Sequence, residues 1–161
     1  MSGKIFDEPQ ALTGVAAFHD LFGMPVLAEP AIPSKERCKL RISLLKEELE
    51  ELKEAIEDND IVEIADALAD LQYVLSGAVH EFGLGARFKT LFDEVQRSNM
   101  SKACKTIDEA KDTQEYYKKN RDTNSVIKPK EGQFLVYRKE DGKVLKSVNY
   151  SPADLETIIE D

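Results

Sequence analysis

One segment of the chain combines the apolar periodicity of a helix with an isolated set of acids. Residues 61–82 repeat apolar side chains at helical spacing, yet they carry Glu63, Asp66 and Asp70. On a helical wheel, Asp70 lies about 40° and Glu63 about 60° from Asp66, so the three acids share one narrow stripe. The rest of the circumference is apolar or small, which is the pattern of a helix packed on most of its sides. The segment therefore predicts a largely buried helix that carries three like charges.

The charge around this helix is one-sided. From Glu54 to Ala86 the chain has 33 residues with no Lys or Arg, but with eight acids. Two carboxylates about 6 Å apart repel each other by about 3 kcal/mol at an effective dielectric constant near 20. Protonation, pairing with distant basic residues, or a divalent cation held by oxygen ligands would relieve this repulsion.

A second helix, predicted over residues 35–58, supplies more acids. A short turn joins it to the third helix, so the two should pack antiparallel. In "LLKEELEELKEAI" Glu48 lies at the edge of the apolar arc, and Glu51 lies about 60° further round. The two helices then present four carboxylates to each other: Glu48, Glu51, Glu63 and Asp66. A Glu-rich helix alone is more often a solvated face, but the stripe on the third helix favours a site for Mg²⁺ or Mn²⁺.

The remaining periodicity predicts a mostly helical fold. A first helix is expected over residues 10–22, a fourth over 86–98 and a more exposed fifth over 106–120. We therefore expect an all-α antiparallel bundle of four to five helices in a domain that spans residues 1–125.

A different pattern follows in a predicted tail, residues 126–161. Residues 132–150 contain two β-prone runs around an Asp-Gly turn at Asp141 and Gly142, which predicts a β-hairpin. Ser151 is then expected to cap a short last helix, with Pro152 at its first position. This tail either closes over a site or acts as a stabilising arm.

Composition excludes several classes of partner. The net charge of −9 argues against nucleic acid or an anionic membrane, because most of the surface would repel either. No apolar run is long enough for a membrane span and no signal peptide is recognisable, so a cytoplasmic location is expected. Cys38 and Cys104 are isolated and should be reduced thiols. Neither His19 nor His80 follows a Glu at the spacing of di-iron sites, so both should be structural or surface residues.

The acid pattern also matches a known superfamily. Glu47-Glu48-x-x-Glu51 followed by Glu63-x-x-Asp66 resembles the EExxE…ExxD signature of the all-α nucleoside triphosphate pyrophosphohydrolases. These include MazG-type enzymes, dimeric dUTPases, dCTP pyrophosphatases and phosphoribosyl-ATP pyrophosphohydrolases. The strings "ADALADLQYVLSGA" and "FDEVQRSNMSK" are similar to the MazG-like branch called phosphoribosyl-ATP pyrophosphohydrolase-like. Only 11 residues separate the two halves of the signature, which leaves a tight turn and little room for a substrate-recognising insertion.

The resemblance implies a reaction and roles for the acids. The reaction is Mg²⁺-dependent hydrolysis between the α- and β-phosphates, giving a nucleoside monophosphate and pyrophosphate, with Mn²⁺ as a possible substitute. A pyrimidine deoxynucleotide such as dUTP is the leading substrate. Phosphoribosyl-ATP, or a non-catalytic helical oligomerisation or regulatory role, is the alternative. The implied metal ligands are Glu48, Glu51, Glu63 and Asp66. The resemblance also implies Glu47 and Glu48 as the catalytic pair. Of these, Glu47 would contact a second metal or act as general base.

Further residues are candidates for supporting roles. Asp70, one turn beyond Asp66, is either another metal ligand or a group that orients one. Tyr73 lies beside the acidic stripe and would either stack on a base or pack in the core. Arg41 lies within about 20° of Glu48 on the wheel and would orient a carboxylate, touch phosphate or form an ordinary salt bridge.

The "RSNMSK" segment supplies candidate phosphate contacts. The resemblance favours Asn99 and Lys102 as nucleotide contacts, with Arg97 nearby, although a polar helix terminus has the same composition. A homodimer or homotetramer, as is usual in the family, would cover the apolar third helix.

Overall fold

The described residues, 4–160 of a computed structural model, form a mostly helical chain with a small hairpin. The elements are α1 (Ala11–Phe22), α2 (Lys35–Glu57), α3 (Ile61–Glu81), α4 (Phe88–Met100), α5 (Ile107–Arg121), β1 (Ser125–Lys130), β2 (Gln133–Arg138) and α6 (Leu155–Glu160). The predicted fold class, helical with a C-terminal hairpin and a short final helix, is confirmed. No described helix is both long and apolar enough to cross a membrane.

Contacts divide the chain into two compact units. The first, called the acidic unit, is Lys4–Phe88; the second, called the C-terminal unit, begins at Lys89. The division falls inside the stretch assigned above to one helical domain, and the boundary at residue 125 stays a prediction.

In the acidic unit, α3 packs against both α1 and α2. The connector between α1 and α2 is held to the end of α3, because the Leu27 amide donates to the His80 carbonyl at 3.0 Å. Gly83 has a φ of +67°, and a Cβ there would lie 1.8 Å from the Glu29 carbonyl oxygen. Only glycine fits both the backbone angle and this close approach.

The turn between α2 and α3 fixes how the two helices face each other. Asn59 takes a left-handed conformation with φ of 55°, and the Asp60 amide donates to the Ala55 carbonyl at 3.0 Å, which closes α2. The Asp60 side chain then accepts hydrogen bonds from the Val62 and Glu63 amides, which opens α3. Asp60 thus ends one helix and caps the next, and the short turn makes the packed helices antiparallel.

Burial of α3 changes along its length. Ser76, Val79 and Glu81 near its end are buried, whereas Ile61 and Val62 near its start are 74% and 70% exposed. The prediction that α3 is buried on most of its circumference is therefore wrong for the first half of the helix, as it stands in a single chain. α1 has 12 residues and α3 has 21, so α1 is too short to cover the whole helix.

A polar cluster occupies the buried end of the acidic unit. The fully buried Glu81 carboxylate accepts hydrogen bonds from Arg37 and Arg41. His19 Nδ1 donates to the Pro25 carbonyl, and His80 Nε2 to the Leu12 carbonyl. Both histidines are structural, as predicted.

The hairpin in the C-terminal unit begins earlier than predicted. β1 and β2 pair antiparallel through a turn at Glu131 and Gly132, whose φ angles of 49° and 77° suit a two-residue hairpin turn. The prediction of a hairpin centred on Asp141 and Gly142 is wrong. The chain reverses there, but the following segment forms only an isolated bridge, Tyr137 to Val144. Pro129 is tolerated in β1 because a two-stranded sheet consists of edge strands.

A small core holds this unit together. It consists of Cys104, Ala110, Val136 and Leu145, with Phe134 packed against it. Cys38 and Cys104 are both free thiols, as expected.

The last helix starts later than the sequence indicates. The Asp154 carboxylate, and not the Ser151 hydroxyl, accepts from the amide three residues on, Thr157. The Ser151 amide instead donates to Ser101 Oγ at 2.9 Å. The predicted cap at Ser151 is therefore wrong, because this residue is used to anchor the tail.

Candidate metal centre in the acidic unit

The site predicted from the sequence lies on the two helices in closest contact in the acidic unit, α2 and α3. α2 carries Glu47, Glu48 and Glu51, and the cap at Asp60 fixes where α3 begins. α3 carries Glu63, Asp66 and Asp70. Five of these six acids are solvent-exposed, and Glu48 is half-buried.

Glu48 is the unusual member of this set. Its Oε2 atom is buried but has no hydrogen-bond partner within the described chain. Buried polar atoms are nearly always hydrogen-bonded, since an unpaired one costs about 1–3 kcal/mol. The carboxylate therefore points to a missing partner, and a cation bound by oxygen ligands would satisfy it.

The pKa of Glu48 identifies its neighbours. Burial raises the pKa above its usual value of 4.5, and nearby like charges raise it further. In decreasing order of effect, these charges belong to Glu51, Asp70, Glu47 and Asp66. Four of the predicted acids thus lie near enough to Glu48 for their charges to raise its pKa.

Glu63 is placed differently from the other acids. It lies in the first turn of α3, where its amide donates to the Asp60 cap, and its side chain is exposed. It is not among the charges that raise the pKa of Glu48. Glu63 thus sits nearest the inter-helix turn, at the edge of the cluster.

None of the six acids has a basic partner in the part of the chain that the structure describes. Among residues 4–160, no ion pair involves any of the six. Arg41, which lies within about 20° of Glu48 on the wheel, instead turns to Glu81. Gly77 makes this possible, because a Cβ at that position would lie 2.7 Å from Arg41 Nη1. Of the three ways to relieve the repulsion, pairing with a distant basic residue is excluded in the described chain.

The acids do not form a ready-made cage. Within residues 4–160, no three His, Cys, Asp or Glu side chains lie close enough together to hold one ion. The donor set nevertheless suits a hard cation: all its atoms are carboxylate oxygens, and one is buried without a partner. Binding would draw exposed, rotatable side chains together around Glu48.

Tyr73 belongs to an exposed aromatic cluster on the same unit. Its ring, 41% exposed, meets Phe18 edge-on with centroids 5.6 Å apart, and Phe18 lies 4.4 Å from Phe22. Sequence reasoning missed both phenylalanines, although their i, i+4 spacing on α1 was a detectable signal. The cluster is an exposed apolar surface rather than core.

The predicted phosphate contacts all lie in the C-terminal unit. Arg97 donates to Glu94, to Ser151 Oγ at 3.1 Å and to the Pro152 carbonyl at 2.9 Å. Lys102 Nζ donates to Asn99 Oδ1 at 2.8 Å. In this structure the segment ties the tail down, and its role in substrate binding stays a prediction.

The family follows from a comparison with known sequences. The phosphoribosyl-ATP pyrophosphohydrolase family matches residues 15–99, which is more than half of the chain. The chain belongs to this family. It is part of the MazG-like nucleoside triphosphate pyrophosphohydrolase superfamily, whose phosphoribosyl-ATP pyrophosphohydrolase members act on phosphoanhydride bonds. The matched region contains every predicted site residue except Lys102.

A viral protein is also similar. An uncharacterized protein of Acanthamoeba polyphaga mimivirus is 34% identical over 67 residues, which is 42% of this chain. The chain spans only 27% of the length of that relative.

Proposed function

We propose that this protein is a metal-dependent nucleotide pyrophosphohydrolase. It would cleave a nucleoside triphosphate between the α- and β-phosphates and release a monophosphate and pyrophosphate. The observation that carries the proposal is Glu48, a carboxylate with a buried, unpartnered oxygen among four other acids. Membership of a pyrophosphohydrolase family supports the same reaction.

Each acid has a role in this proposal. Mg²⁺, or Mn²⁺ in its place, would be held by Glu48, Glu51, Glu63 and Asp66. Asp70 is a further ligand, supported by its charge being among those that raise the pKa of Glu48. When bound, such an ion neutralises phosphate charge and lowers the pKa of a coordinated water. Glu47, exposed beside Glu48, would accept the proton from the attacking water or contact a second ion.

The proposed substrate is a pyrimidine deoxynucleotide such as dUTP. Tyr73 lies two helical turns beyond Asp66, a rise of about 10 Å, which suits a base held beyond its phosphates. The exposed rings of Tyr73 and Phe18 offer a surface for stacking. Arg97, Asn99 and Lys102 remain proposed phosphate contacts.

Phosphoribosyl-ATP is the second candidate substrate. The matched family carries that enzyme's description. Both substrates present the same α–β anhydride to the acids, so they would differ in the groups that meet the aromatic cluster.

We also propose a homo-oligomer, a dimer or a tetramer. Large apolar side chains are exposed on α2 and α3: Leu49, Ile56, Ile61, Val62, Leu68 and Leu75. A second copy would cover them, because such surfaces usually mark interfaces. Leu68→Glu should shift the mass measured by light scattering to that of a monomer. Leu21→Glu, at a 78% exposed site on α1, should not.

The function is tested by pyrophosphate release. Wild type and Glu48→Gln are incubated with dNTPs, NTPs and phosphoribosyl-ATP in Mg²⁺, Mn²⁺ or EDTA. We expect turnover of one nucleotide class, at least about 100-fold slower in Glu48→Gln, since even outer-shell metal-site mutations cost about 10–100-fold. Glu57→Gln, an exposed residue at the end of α2, is the matched control.

Two outcomes would contradict the proposal. Turnover unchanged by EDTA and by Glu48→Gln would remove the acids from the reaction. Metal binding by calorimetry without hydrolysis of any tested nucleotide would favour the third possibility, a non-catalytic oligomerisation or regulatory protein.

A further inference from the structure

A cleft in the C-terminal unit lies away from every acid of the proposed metal centre in sequence. It is formed by α5 and the segment after β2, and its volume is about 380 Å³. Its lining includes three tyrosines, Tyr116, Tyr117 and Tyr150, and two basic residues, Arg121 and Lys146. The chain has five tyrosines, so most of them meet at this one place.

The aromatic walls are held in position. The Tyr117 hydroxyl accepts a hydrogen bond from the Lys146 amide at 3.2 Å. The Tyr150 hydroxyl shares a hydrogen bond with Ser98 Oγ at 2.9 Å. Tyr116 meets Tyr117 edge-on with centroids 5.4 Å apart. Because neighbours fix the rings, a planar ligand would find a preformed surface.

Some basic residues of this unit are paired with acids in the described chain, and the two cations at the cleft are among those that are not. Lys118 and Arg138 each pair with a nearby aspartate. By contrast, no carboxylate within the described residues pairs with Arg121 or Lys146. Lys146 Nζ instead lies 4.3 Å from the centre of the Tyr150 ring. The cleft therefore has positive charge available for an anion.

Two further observations describe the charge in this region. The hydrogen bond with Ser98 lowers the pKa of Tyr150, and the charges of Lys146 and Lys102 lower it further. Glu109, the carboxylate bonded to the lining residue Ser147, also accepts from the Lys105 amide. Its charge is thus bound into the protein rather than directed at a ligand.

We propose that this cleft binds a single nucleotide, with the base against the tyrosines and the phosphate on Arg121 and Lys146. Aromatic rings combined with cations select a ligand that is both planar and anionic. Small-molecule sites typically have volumes of about 300–1,000 Å³, which this cleft satisfies. A nucleic-acid strand would need a groove that follows several nucleotides. This proposal does not rest on the proposed function.

The test is equilibrium dialysis of the full chain with labelled AMP in EDTA, where the metal centre is inactive. Variants Lys146→Gln and Arg121→Gln change exposed side chains and should fold. Each should weaken AMP binding at least about tenfold, because each removes a charge-assisted contact. Lys128→Gln is the matched control, since Lys128 also lies over a tyrosine, Tyr137, but outside the cleft. Glu48→Gln should bind AMP as wild type does, which separates this site from the acids.

Competing ligands complete the test. Ribose 5-phosphate and adenosine should each compete at least about tenfold less well than AMP, because each lacks one half of the ligand. The proposal is overturned if wild type does not bind millimolar AMP, or if Lys128→Gln weakens binding as much as Lys146→Gln. Equal competition by ribose 5-phosphate would reveal only a general anion surface. An oligonucleotide binding more than tenfold tighter than AMP would assign the cleft to a strand.

Discussion

The two compact units differ in net charge and in the pairing of their acids. Residues 89–161 contain 14 basic and 14 acidic residues, so the whole net charge of −9 lies in residues 1–88. In the C-terminal unit, Glu94 and Asp141 each pair with an arginine three residues away. In the acidic unit, by contrast, the six acids of the candidate site have no ion-pair partner among the described residues: Glu47, Glu48, Glu51, Glu63, Asp66 and Asp70. The comparison teaches that local ion pairs neutralise acids in the C-terminal unit, whereas the acids near Glu48 keep unpaired negative charge.

The acidic unit does pair one of its carboxylates fully. Glu81 lies at the other end of α3 from Glu63, is completely buried, and is bonded to both Arg37 and Arg41. Burial alone would raise the pKa of Glu81, but these hydrogen bonds outweigh it and hold the pKa below its usual value. The same helix therefore carries a neutralised acid at one end and unneutralised acids at the other.

The largest effect is expected from a substitution of Glu81, the paired acid at the end of α3. Glu81→Ala would leave two arginines without their buried partner and should lower the free energy of unfolding by about 3–5 kcal/mol. Urea denaturation followed by circular dichroism measures this. Glu50→Ala is the control, because its pair with Lys53 is more than half exposed on both sides and should contribute little. Equal losses in the two variants would mean that Glu81 is not the centre of a buried cluster.

The next largest effect is expected from a substitution of Asp66, one of the unpaired acids of α3. Asp66→Asn should slow pyrophosphate release by about 100-fold, equivalent to about 2.7 kcal/mol. In EDTA it should leave the melting temperature unchanged or slightly raise it, because it removes a charge that repels Glu48. Asp58→Asn, at the C-cap of α2, should change neither quantity. A lower melting temperature in Asp66→Asn would show that this acid stabilises the fold rather than the site.

A smaller effect is expected where the tail is anchored in the C-terminal unit. Ser101 Oγ donates to the Ser98 carbonyl at 2.7 Å and accepts from the Ser151 amide. Ser101→Ala should cost about 1–2 kcal/mol by leaving that amide unpaired. Hydrogen exchange at Ser151 should speed up accordingly. Ser43→Ala, at an exposed position on α2, should leave that exchange rate unchanged.

The smallest expected effect is the difference in titration between a paired acid, Glu94, and an unpaired acid, Glu48. Hydrogen bonds from Arg97 and from the Asp154 amide lower the pKa of Glu94 to about 2, whereas the pKa of Glu48 is raised above 4.5. Carboxyl carbon NMR of the metal-free protein should resolve these two titrations. Glu94 should contribute stability above pH 4.5 that is lost as the pH falls towards 2. The contribution of Glu48 to stability has the opposite pH dependence, because its pKa is raised in the folded state. The free energy of unfolding should therefore fall as the pH rises through that pKa. Adding Mg²⁺ should lower the pKa of Glu48 and leave that of Glu94 unchanged.

Much of the helical architecture was predictable. The bounds of α1, α2 and α3 agree with the predicted segments to within one residue, because strong periodicity and local caps such as Asp60 act over a few residues. That α2 and α3 pack against each other was also predictable, since only a short turn joins them. The metal site on these helices stays a prediction.

The hairpin and the tail were harder to predict. The Asp-Gly turn at Asp141 has the right local chemistry, but the turn at Glu131 and Gly132 joins the strands that actually pair. Ser151 and Asp154 are both good helix caps, and a distant contact with Ser101 decides between them. Local propensity cannot resolve such choices, because the competing options differ only in long-range contacts.

The sequence by itself determined the helices, the acidic face and the family signature, all of which depend on residues close together in the chain. The tertiary structure alone decided that Arg41 turns to Glu81 and away from Glu48. It also decided that α3 is covered over only part of its length. It gathered Tyr116, Tyr150 and Lys146 around one cleft. Arg41 and Glu81, for example, are 40 positions apart. Packing rather than local propensity selects such contacts.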